Sequence, residues 1–160
     1  MLKLSILTIG DEICIGQIIN RNAAWIATHC SRLGYKIITH STVRDDKDAM
    51  LSELERLKDL SDIVIVTGGL GPTHDDITKP TLAEFYDDEI KHNEKAMEYV
   101  RNFFDARERT ITERNKEQAM LPTKAIPMEN KNGTAPGMRF DEKGIHLFSL
   151  PGVPAEMKQL

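Results

Sequence analysis

The chain has 160 residues, of which 40% are hydrophobic and 29% are charged. This length and composition predict a single globular domain, residues 1–160, with a hydrophobic core of its own. The net charge of −4 argues against nucleic-acid binding, and no apolar run is long enough for a membrane span or a secretion signal. Cys14 and Cys30 lack the spacing of metal ligands, so we expect free thiols and a cytoplasmic protein.

Strand and helix patterns alternate along the first half of the chain. The apolar and β-branched residues predict strands over 4–9, 36–43 and 63–66. Helices are predicted over 22–33, after Asp46 as a helix cap, and from Lys79 onward. This β-α-β-α-β-α order predicts an α/β fold in which helices cover both faces of a parallel sheet.

The second half departs from this alternation. Ala96, Val100, Phe103 and Phe104 form an apolar stripe on a charged helix, and the capping-box spacing of Thr110 predicts another helix over 110–120. We expect these helices to be an insertion, and their apolar stripes favour a homo-oligomer, either a dimer or a trimer. A short strand at 125–126, a hairpin of strands 138–140 and 145–150, and a helix over 155–160 follow. A helix this short is unstable alone, so we expect the domain to be shortened at its C-terminal end.

A glycine-rich segment, Thr67-Gly-Gly-Leu-Gly-Pro-Thr-His-Asp-Asp-Ile-Thr78, connects the third strand to its helix. Ligands of parallel sheets bind at this carboxyl edge, and glycines let backbone N–H groups approach an anion. Asp75 and Asp76 would repel a bare phosphate, but a divalent cation could bridge them to it. The segment therefore predicts a metal-phosphate site. The alternative is a plain strand-to-helix turn with acidic helix caps.

Three more loops follow predicted strands, at residues 10–12, 44–46 and 151–156. The carboxyl ends of parallel strands share one edge, so we expect these loops to converge with residues 68–76 on a single ligand site. Asn20 either binds the ligand or caps the first helix. The chain lacks a nucleophile elbow, a P-loop and a dinucleotide fingerprint. The acidic candidates for metal coordination or for orienting water are Asp11, Glu12, Asp45, Asp75 and Asp76.

Four motifs occur in the order found in one protein family. They are Gly10-Asp-Glu-Ile with Gly16 and Asn20, Thr67 to Thr78, Asn132-Gly-Thr-Ala-Pro-Gly137, and Leu150-Pro-Gly-Val-Pro-x-Glu-Met157. Together they closely resemble the N-terminal domain of the CinA family, the competence/damage-inducible proteins. That domain has the molybdopterin-binding fold, which it shares with MoaB, MogA and the gephyrin G domain. The resemblance implies a three-layer α/β/α sandwich with a mostly parallel sheet.

The resemblance also implies a reaction. CinA N-terminal domains are associated with hydrolysis of ADP-ribose to AMP and ribose 5-phosphate with a divalent metal, here Mg, Mn or Co. By position, Asp75, Asp76 and Asp45 would be catalytic, and the metal would lie on Asp75, Asp76 and Asp11. The pyrophosphate and the rest of the substrate would contact Asp11, Asn20, Gly68, Gly69, Gly71, Thr73, Thr78, Gly133 and Gly152.

Two other functions remain open at this point. The first is molybdopterin binding and adenylylation, because a glycine loop with paired aspartates would serve that chemistry equally. The second is a nucleotide-binding module without catalysis. In each case the expected partner is a small molecule, and neither a membrane nor a nucleic acid is expected.

Overall fold

The computed structural model describes residues 1–70 and 76–160. The strands are β1 (Lys3–Ile9), β2 (Lys36–Val43), β3 (Ile63–Thr67), β4 (Ile90–His92), β5 (Met120–Pro122), β6 (Ile126–Met128), β7 (Gly137–Glu142) and β8 (Ile145–Leu150). The helices are α1 (Asp11–Cys14), α2 (Arg21–Arg32), α3 (Lys47–Leu60), α4 (Thr78–Phe85), α5 (Glu94–Asp105), α6 (Glu113–Lys116) and α7 (Pro154–Met157). No helix within these described residues is long and apolar enough to cross a lipid bilayer.

The main sheet has six strands in the order β2-β1-β3-β8-β7-β6. β1 pairs in parallel with both β2 and β3, and β3 pairs in parallel with β8. β7 runs antiparallel to both β8 and β6, so the sheet is mostly parallel with an antiparallel strand near one edge. The predicted hairpin is therefore confirmed. The carboxyl ends of β2, β1, β3 and β8 all lie at the same edge of the sheet.

Alternating side chains of the central strands separate the core into two layers. On β1, Leu4 and Ile6 face one side, where α2 and α7 pack. Leu7 and Ile9 face the other side, where α3, α4 and α5 pack. Successive strand residues point to opposite faces of a sheet. A strand with apolar residues at both odd and even positions must therefore be covered on both sides. The predicted three-layer α/β/α sandwich is thus confirmed.

Short polar side chains fix where the main helices begin. The side chains of Asn20, Asp46 and Asn93 each accept a hydrogen bond from the backbone N–H three residues later, which caps α2, α3 and α5. Such caps satisfy backbone donors that a helix leaves unpaired in its first turn. The predicted capping role of Asp46 is confirmed, and Asn20 starts α2 one residue before the predicted position.

In place of the single helix predicted over 110–120, two short helical segments cover residues 113–119. The capping residue is Thr112, whose partner in the capping box is Asn115, and α6 ends after four residues. A single 3₁₀ turn, Glu117–Ala119, leads into β5, which pairs antiparallel with β4. The backbone of residues 120–122 is used in this strand pair, so the helix cannot extend through it. The last helix is also shorter than predicted, ending at Met157 rather than Leu160.

The apolar stripe of α5 lies inside the chain. Ala96, Met97, Val100 and Phe104 are buried in the same core layer as α3 and α4. Intramolecular packing accounts for this stripe without a second subunit. The stripe therefore no longer supports a homo-oligomer, and the expected dimer or trimer stays a prediction.

The central strands should carry most of the stability, and Leu147 tests this. Leu147 on β8 is fully buried, so Leu147→Ala should lower the free energy of unfolding by about 2–5 kcal/mol. Leu33→Ala removes the same atoms from a side chain that is 66% exposed. It should change the free energy of unfolding by less than about 0.5 kcal/mol. Urea denaturation measures both, and equal losses would contradict the assigned core.

Candidate functional site

A cleft of about 360 Å³ lies at the carboxyl edge of the parallel strands. Thr8 and Ile9 line it from the end of β1, and Thr67, Gly68 and Gly69 line it from the end of β3. The loops after β2 and β8 complete it with Asp45, Gly152 and Pro154. Loops from four parallel strands therefore meet at one place, which is the crevice where ligands of α/β sheets bind.

Two adjacent glycines allow the loop after β3 to pass close to β1. Gly68 has φ +106°, and a Cβ on it would lie 2.3 Å from the carbonyl oxygen of Ile9. Gly69 has φ +65°, and a Cβ there would lie 2.0 Å from Oγ1 of Thr78. Other residues rarely adopt these angles, and neither position has room for a side chain. The backbone geometry therefore requires glycine at both Gly68 and Gly69.

A set of uncharged polar groups ties the loop after β8 to α2. The Nδ2 of Asn22 donates to the carbonyl oxygen of Gly152 at 2.7 Å and to Oγ1 of Thr67 at 3.4 Å. The Thr67 hydroxyl donates in turn to the carbonyl oxygen of Pro151 at 3.1 Å. Asn22 and Thr67 line the cleft, but the sequence analysis did not assign them to it. The only available signal was that Asn22 lies two residues after Asn20, the last residue of the first motif.

Asn20 has a structural role at the same place. Its Oδ1 accepts from the backbone N–H of Ala23 at 3.1 Å, and its Nδ2 donates to Oγ1 of Thr8 at 2.8 Å. The amide therefore caps α2 and joins this helix to the end of β1. Asn20 also lines the cleft, so its expected contact with a ligand stays a prediction.

Asp11 and Asp45 hold each other's loops in place. The backbone N–H of Asp11 donates to Oδ2 of Asp45 at 3.0 Å, and the backbone N–H of Asp45 donates to Oδ1 of Asp11 at 3.2 Å. This reciprocal pair joins the loops after β1 and β2. Within the described part of the chain, the second oxygen of each carboxylate has no hydrogen bond, so each can still accept one from a ligand or water.

Asp76 is a half-buried carboxylate with an unsatisfied oxygen. Among the described residues its Oδ1 is buried without a hydrogen-bond partner, and a Cβ added to Gly69 would lie 3.1 Å from it. Burial raises the pKa of Asp76 to about 6, while the charge of Lys79 and the backbone N–H of Thr78 act in the opposite direction. The charge of Asp45 makes the smallest contribution to this raised pKa, so the two carboxylates interact electrostatically.

Lys79 is the cation whose charge favours the ionised form of the Asp76 carboxylate. Burial lowers the pKa of Lys79 to about 8, and the charges of Asp76 and Glu117 oppose that shift. Its Nζ donates to the carbonyl oxygen of Gln118 at 3.3 Å. Lys79 was predicted only as a helix start, because nothing in the sequence indicates that its ammonium group is buried beside Asp76.

The predicted site residues fall into groups in the structure. The predicted residues that line the cleft are Glu12, Asn20, Asp45, Gly68, Gly69 and Gly152. Asp11 adjoins it through Asp45, and Asp76 adjoins it through Gly69.

The remaining predicted residues do not line this cleft. Thr78 is fully buried and donates to the carbonyl oxygen of Gly68 at 3.3 Å, so it supports the loop instead of lining the pocket as expected. Gly133 packs against the carboxylate of Glu156 and is not among the described lining residues. Gly71, Thr73 and Asp75 lie outside the described residues.

Two of the three expected metal ligands, Asp11 and Asp76, are among the described residues. Among residues 1–70 and 76–160, no group of three or more His, Cys, Asp or Glu side chains is placed to hold a metal ion. The expected metal set contains Asp75, which is outside these ranges. The described carboxylates alone therefore supply at most a partial set of ligands.

Known proteins match this chain over nearly its whole length. The family described as "Probable molybdopterin binding domain" matches residues 5–160. A CinA-like protein of Cytophaga hutchinsonii is 46% identical over 96% of this chain and 37% of its own length. The chain belongs to the CinA-like members of the molybdopterin-binding domain family. A second CinA-like protein, from Flavobacterium psychrophilum, is 45% identical over 99% of the chain and 38% of its own length. The chain thus spans less than two fifths of these curated relatives.

Solved structures agree with this family. CinA from Thermoplasma acidophilum matches with a TM-score of 0.88 and 32% identity, covering 98% of this chain and 92% of that protein. MoaB from Pyrococcus furiosus, described as a tungsten cofactor synthesizing protein, matches with a TM-score of 0.62 and 20% identity, covering 99% and 86%. The likeness to MoaB shows the fold alone. The CinA resemblance inferred from the four motifs is confirmed.

Substituting Gly69 should reveal how tightly this CinA-like loop is built. Gly69→Ala should destabilise the fold by about 1–3 kcal/mol more than Gly144→Ala, because its methyl group would overlap the buried side chain of Thr78. Gly144 has a similar φ of +77° and no atom within 4 Å of an added Cβ, so it controls for the cost of the left-handed conformation. Urea denaturation gives both values. Equal losses would show that the close contact is unimportant.

The burial of Asp76 should make stability depend on pH. Its pKa of about 6 lies above the ordinary 3.8, so the folded chain retains a proton that the unfolded chain releases. The resulting stabilisation is present below about pH 4 and is lost as the pH rises through about 6. Asp76→Asn should therefore gain stability relative to the parent between about pH 4 and pH 7, measured by urea denaturation with a chelator present.

The exposed Asp105 provides the matched control for this pH series. Asp105→Asn removes the same charge from the surface and should show no such change between the two pH values. A stability difference for Asp76→Asn that is independent of pH would contradict the predicted titration.

Proposed function

We propose that this cleft binds a nucleotide pyrophosphate and that the chain hydrolyses it with the help of a divalent cation. The substrate favoured by the CinA resemblance is ADP-ribose, which would give AMP and ribose 5-phosphate. The observation that carries the proposal is the buried Oδ1 of Asp76 near Gly69, which has no hydrogen-bond donor within residues 1–70 and 76–160.

A buried carboxylate oxygen without a donor is costly, and folded proteins rarely retain one. Asp76 needs a proton, a hydrogen-bond donor or a cation at this position. Its neighbour Gly69 lies in the glycine loop, where a phosphate would approach the backbone. A cation between the carboxylate and the phosphate would satisfy both, so the residues present fit a metal ion.

The number of available carboxylates suits magnesium-like ions. Such ions keep several waters and usually bind one or two carboxylates together with phosphate oxygens. Asp76 and Asp45 interact electrostatically, and Asp45 lines the cleft. Asp11 would act through Asp45, because each holds the other's backbone. We therefore assign Asp76 and Asp45 to metal coordination and Asp11 to positioning.

In the proposed reaction, water attacks one phosphorus atom and the P–O bond to the bridging oxygen breaks. A divalent ion, when bound, would neutralise phosphate charge and lower the pKa of the attacking water. The glycine backbone at Gly68, Gly69 and Gly152 would orient the pyrophosphate. Asn22 and Thr67 would keep the two glycine loops at a fixed separation through the contacts with Gly152 and Pro151.

A second candidate is molybdopterin binding and adenylylation. It is favoured by the family match, whose description names molybdopterin and covers residues 5–160. The glycine loop and acidic groups would suit that reaction as well, because it also acts on a phosphate anhydride. Preference for pterin phosphate with ATP over ADP-ribose would select this candidate.

The decisive assay incubates the purified chain with ADP-ribose and Mg²⁺, Mn²⁺ or Co²⁺, and follows AMP. We expect AMP only when a divalent cation is present, because the phosphate charge must be neutralised. Asp76→Asn should lower the rate at least about 100-fold without unfolding the chain, as checked by circular dichroism.

Asp105→Asn is the matched control, since it changes the same group on the exposed surface and should leave the rate unchanged. Turnover that survives in Asp76→Asn would contradict the assignment of Asp76. Equal AMP formation with a chelator would contradict the role of the metal. ADP-ribose binding without AMP would favour a nucleotide-binding module.

A further inference from the structure

One wall of the cleft is unexpectedly apolar. Ile18 and Ile19 line it, although 56% and 75% of their surfaces are exposed to water. Ile9 and Ile13 also line the cleft. Large aliphatic side chains exposed within a cleft commonly mark the part of a site that receives an apolar or aromatic group.

The backbone of this wall is held in a defined shape. Both Gln17 and Ile18 donate their backbone N–H to the carbonyl oxygen of Glu12, at 2.9 Å and 3.2 Å. Gly16 has φ +79°, which reverses the chain after α1. The N–H of Arg21 donates to the carbonyl oxygen of Ile19 at 2.8 Å, so the loop joins directly to α2. The two isoleucines are therefore presented by an organised turn.

Arg21 lies beside this wall and gives the cleft a cationic group. Arg21 lines the cleft and is exposed, and within the described ranges its side chain forms no hydrogen bond or ion pair. An exposed arginine without a carboxylate partner is available to an anion, and its planar group suits phosphate. The glycine loop of Gly68 and Gly69 lies in the same cleft. One side thus offers apolar surface, and the other offers groups that suit phosphate.

We propose that Ile18 and Ile19 form the binding surface for the planar base of the nucleotide, and that Arg21 binds a phosphate beside it. This inference rests on the proposed nucleotide-binding function. The wall would select a ligand that has a heteroaromatic ring over a sugar phosphate without one. Ring burial against two aliphatic side chains supplies affinity by removing apolar surface from water.

Equilibrium binding of AMP and of ribose 5-phosphate tests the inference, by calorimetry on the parent and its variants. Ile18→Ser and Ile19→Ser should each weaken AMP binding about ten-fold, the effect expected when an apolar contact of this size is lost. Both should leave ribose 5-phosphate binding unchanged, because that ligand has no ring. Arg21→Gln should weaken the binding of both ligands.

Ile15 supplies a matched control. It is in the same loop and 56% exposed, as Ile18 is, but it does not line the cleft. Ile15→Ser should leave AMP binding unchanged. Similar losses for both ligands in the Ile18 and Ile19 variants, or no loss for either, would overturn the inference. So would a parent that does not bind AMP, or serine variants that change only the oligomeric state in size-exclusion chromatography.

The binding measurements need no turnover, so they separate this inference from the proposed reaction. If AMP binding shows the expected pattern but ADP-ribose is not hydrolysed, the ring surface stands and the hydrolase proposal fails. If ADP-ribose is hydrolysed and the isoleucine variants bind AMP as the parent does, the hydrolase proposal stands and the ring surface fails.

Discussion

The close approach of Gly68 to the end of β1 is the contact on which the rest of the site depends. An added Cβ would lie 2.3 Å from the carbonyl oxygen of Ile9, so the loop can take this path only with glycine. Because of this path, Gly69 lies against Thr78 and next to Asp76. Thr78 begins α4 and donates to the carbonyl oxygen of Gly68, which joins the loop to the helix that follows it. One backbone contact therefore sets the relative positions of the strand ends, the loop and the carboxylate.

Opposing effects act on the carboxyl group of Asp76, and the effect of burial is the largest. Burial favours the neutral carboxyl group, and the nearby Lys79 favours the carboxylate. Burial also disfavours the charge on Lys79, so neither group is fully stabilised by the other. Folded proteins rarely leave such an imbalance outside functional sites. A cation or a bound phosphate would change this balance, and the imbalance is itself an argument for a ligand.

The sequence predicted the layered fold because the fold depends on periodic burial. Leu4, Ile6, Leu7 and Ile9 leave no polar face on β1, which requires helices on both sides of the sheet. The cap at Asp46 was also predictable, because its effect is local to one helix turn. Local and periodic signals of this kind survive in a single sequence.

Features that depend on distant partners were not predictable. β4 and β5 have three residues each, too few for a repeating pattern, and each forms a strand only by pairing with the other. The strand pair that begins at Met120 also limits the helical segments before it to residues 113–119. The role of Asn22 depends on Gly152, which is 130 residues away in the chain. Burial of Lys79 likewise follows from tertiary packing, so its sequence neighbours do not indicate it.

The two candidate reactions use the same end of the cleft and differ at the other end. Hydrolysis of a nucleotide pyrophosphate and adenylyl transfer both break a phosphate anhydride, so both need a glycine loop and charge neutralisation at the bridging oxygen. They differ in the attacking group, which is water in hydrolysis and the phosphate of a second, ring-containing substrate in adenylyl transfer. Because the glycine loop serves either reaction, it cannot determine which one occurs. Under the proposed function the apolar wall at Ile18 and Ile19 would distinguish them. A wall that holds one ring would leave only water to reach the phosphorus, and a wall that holds two rings would admit the second substrate.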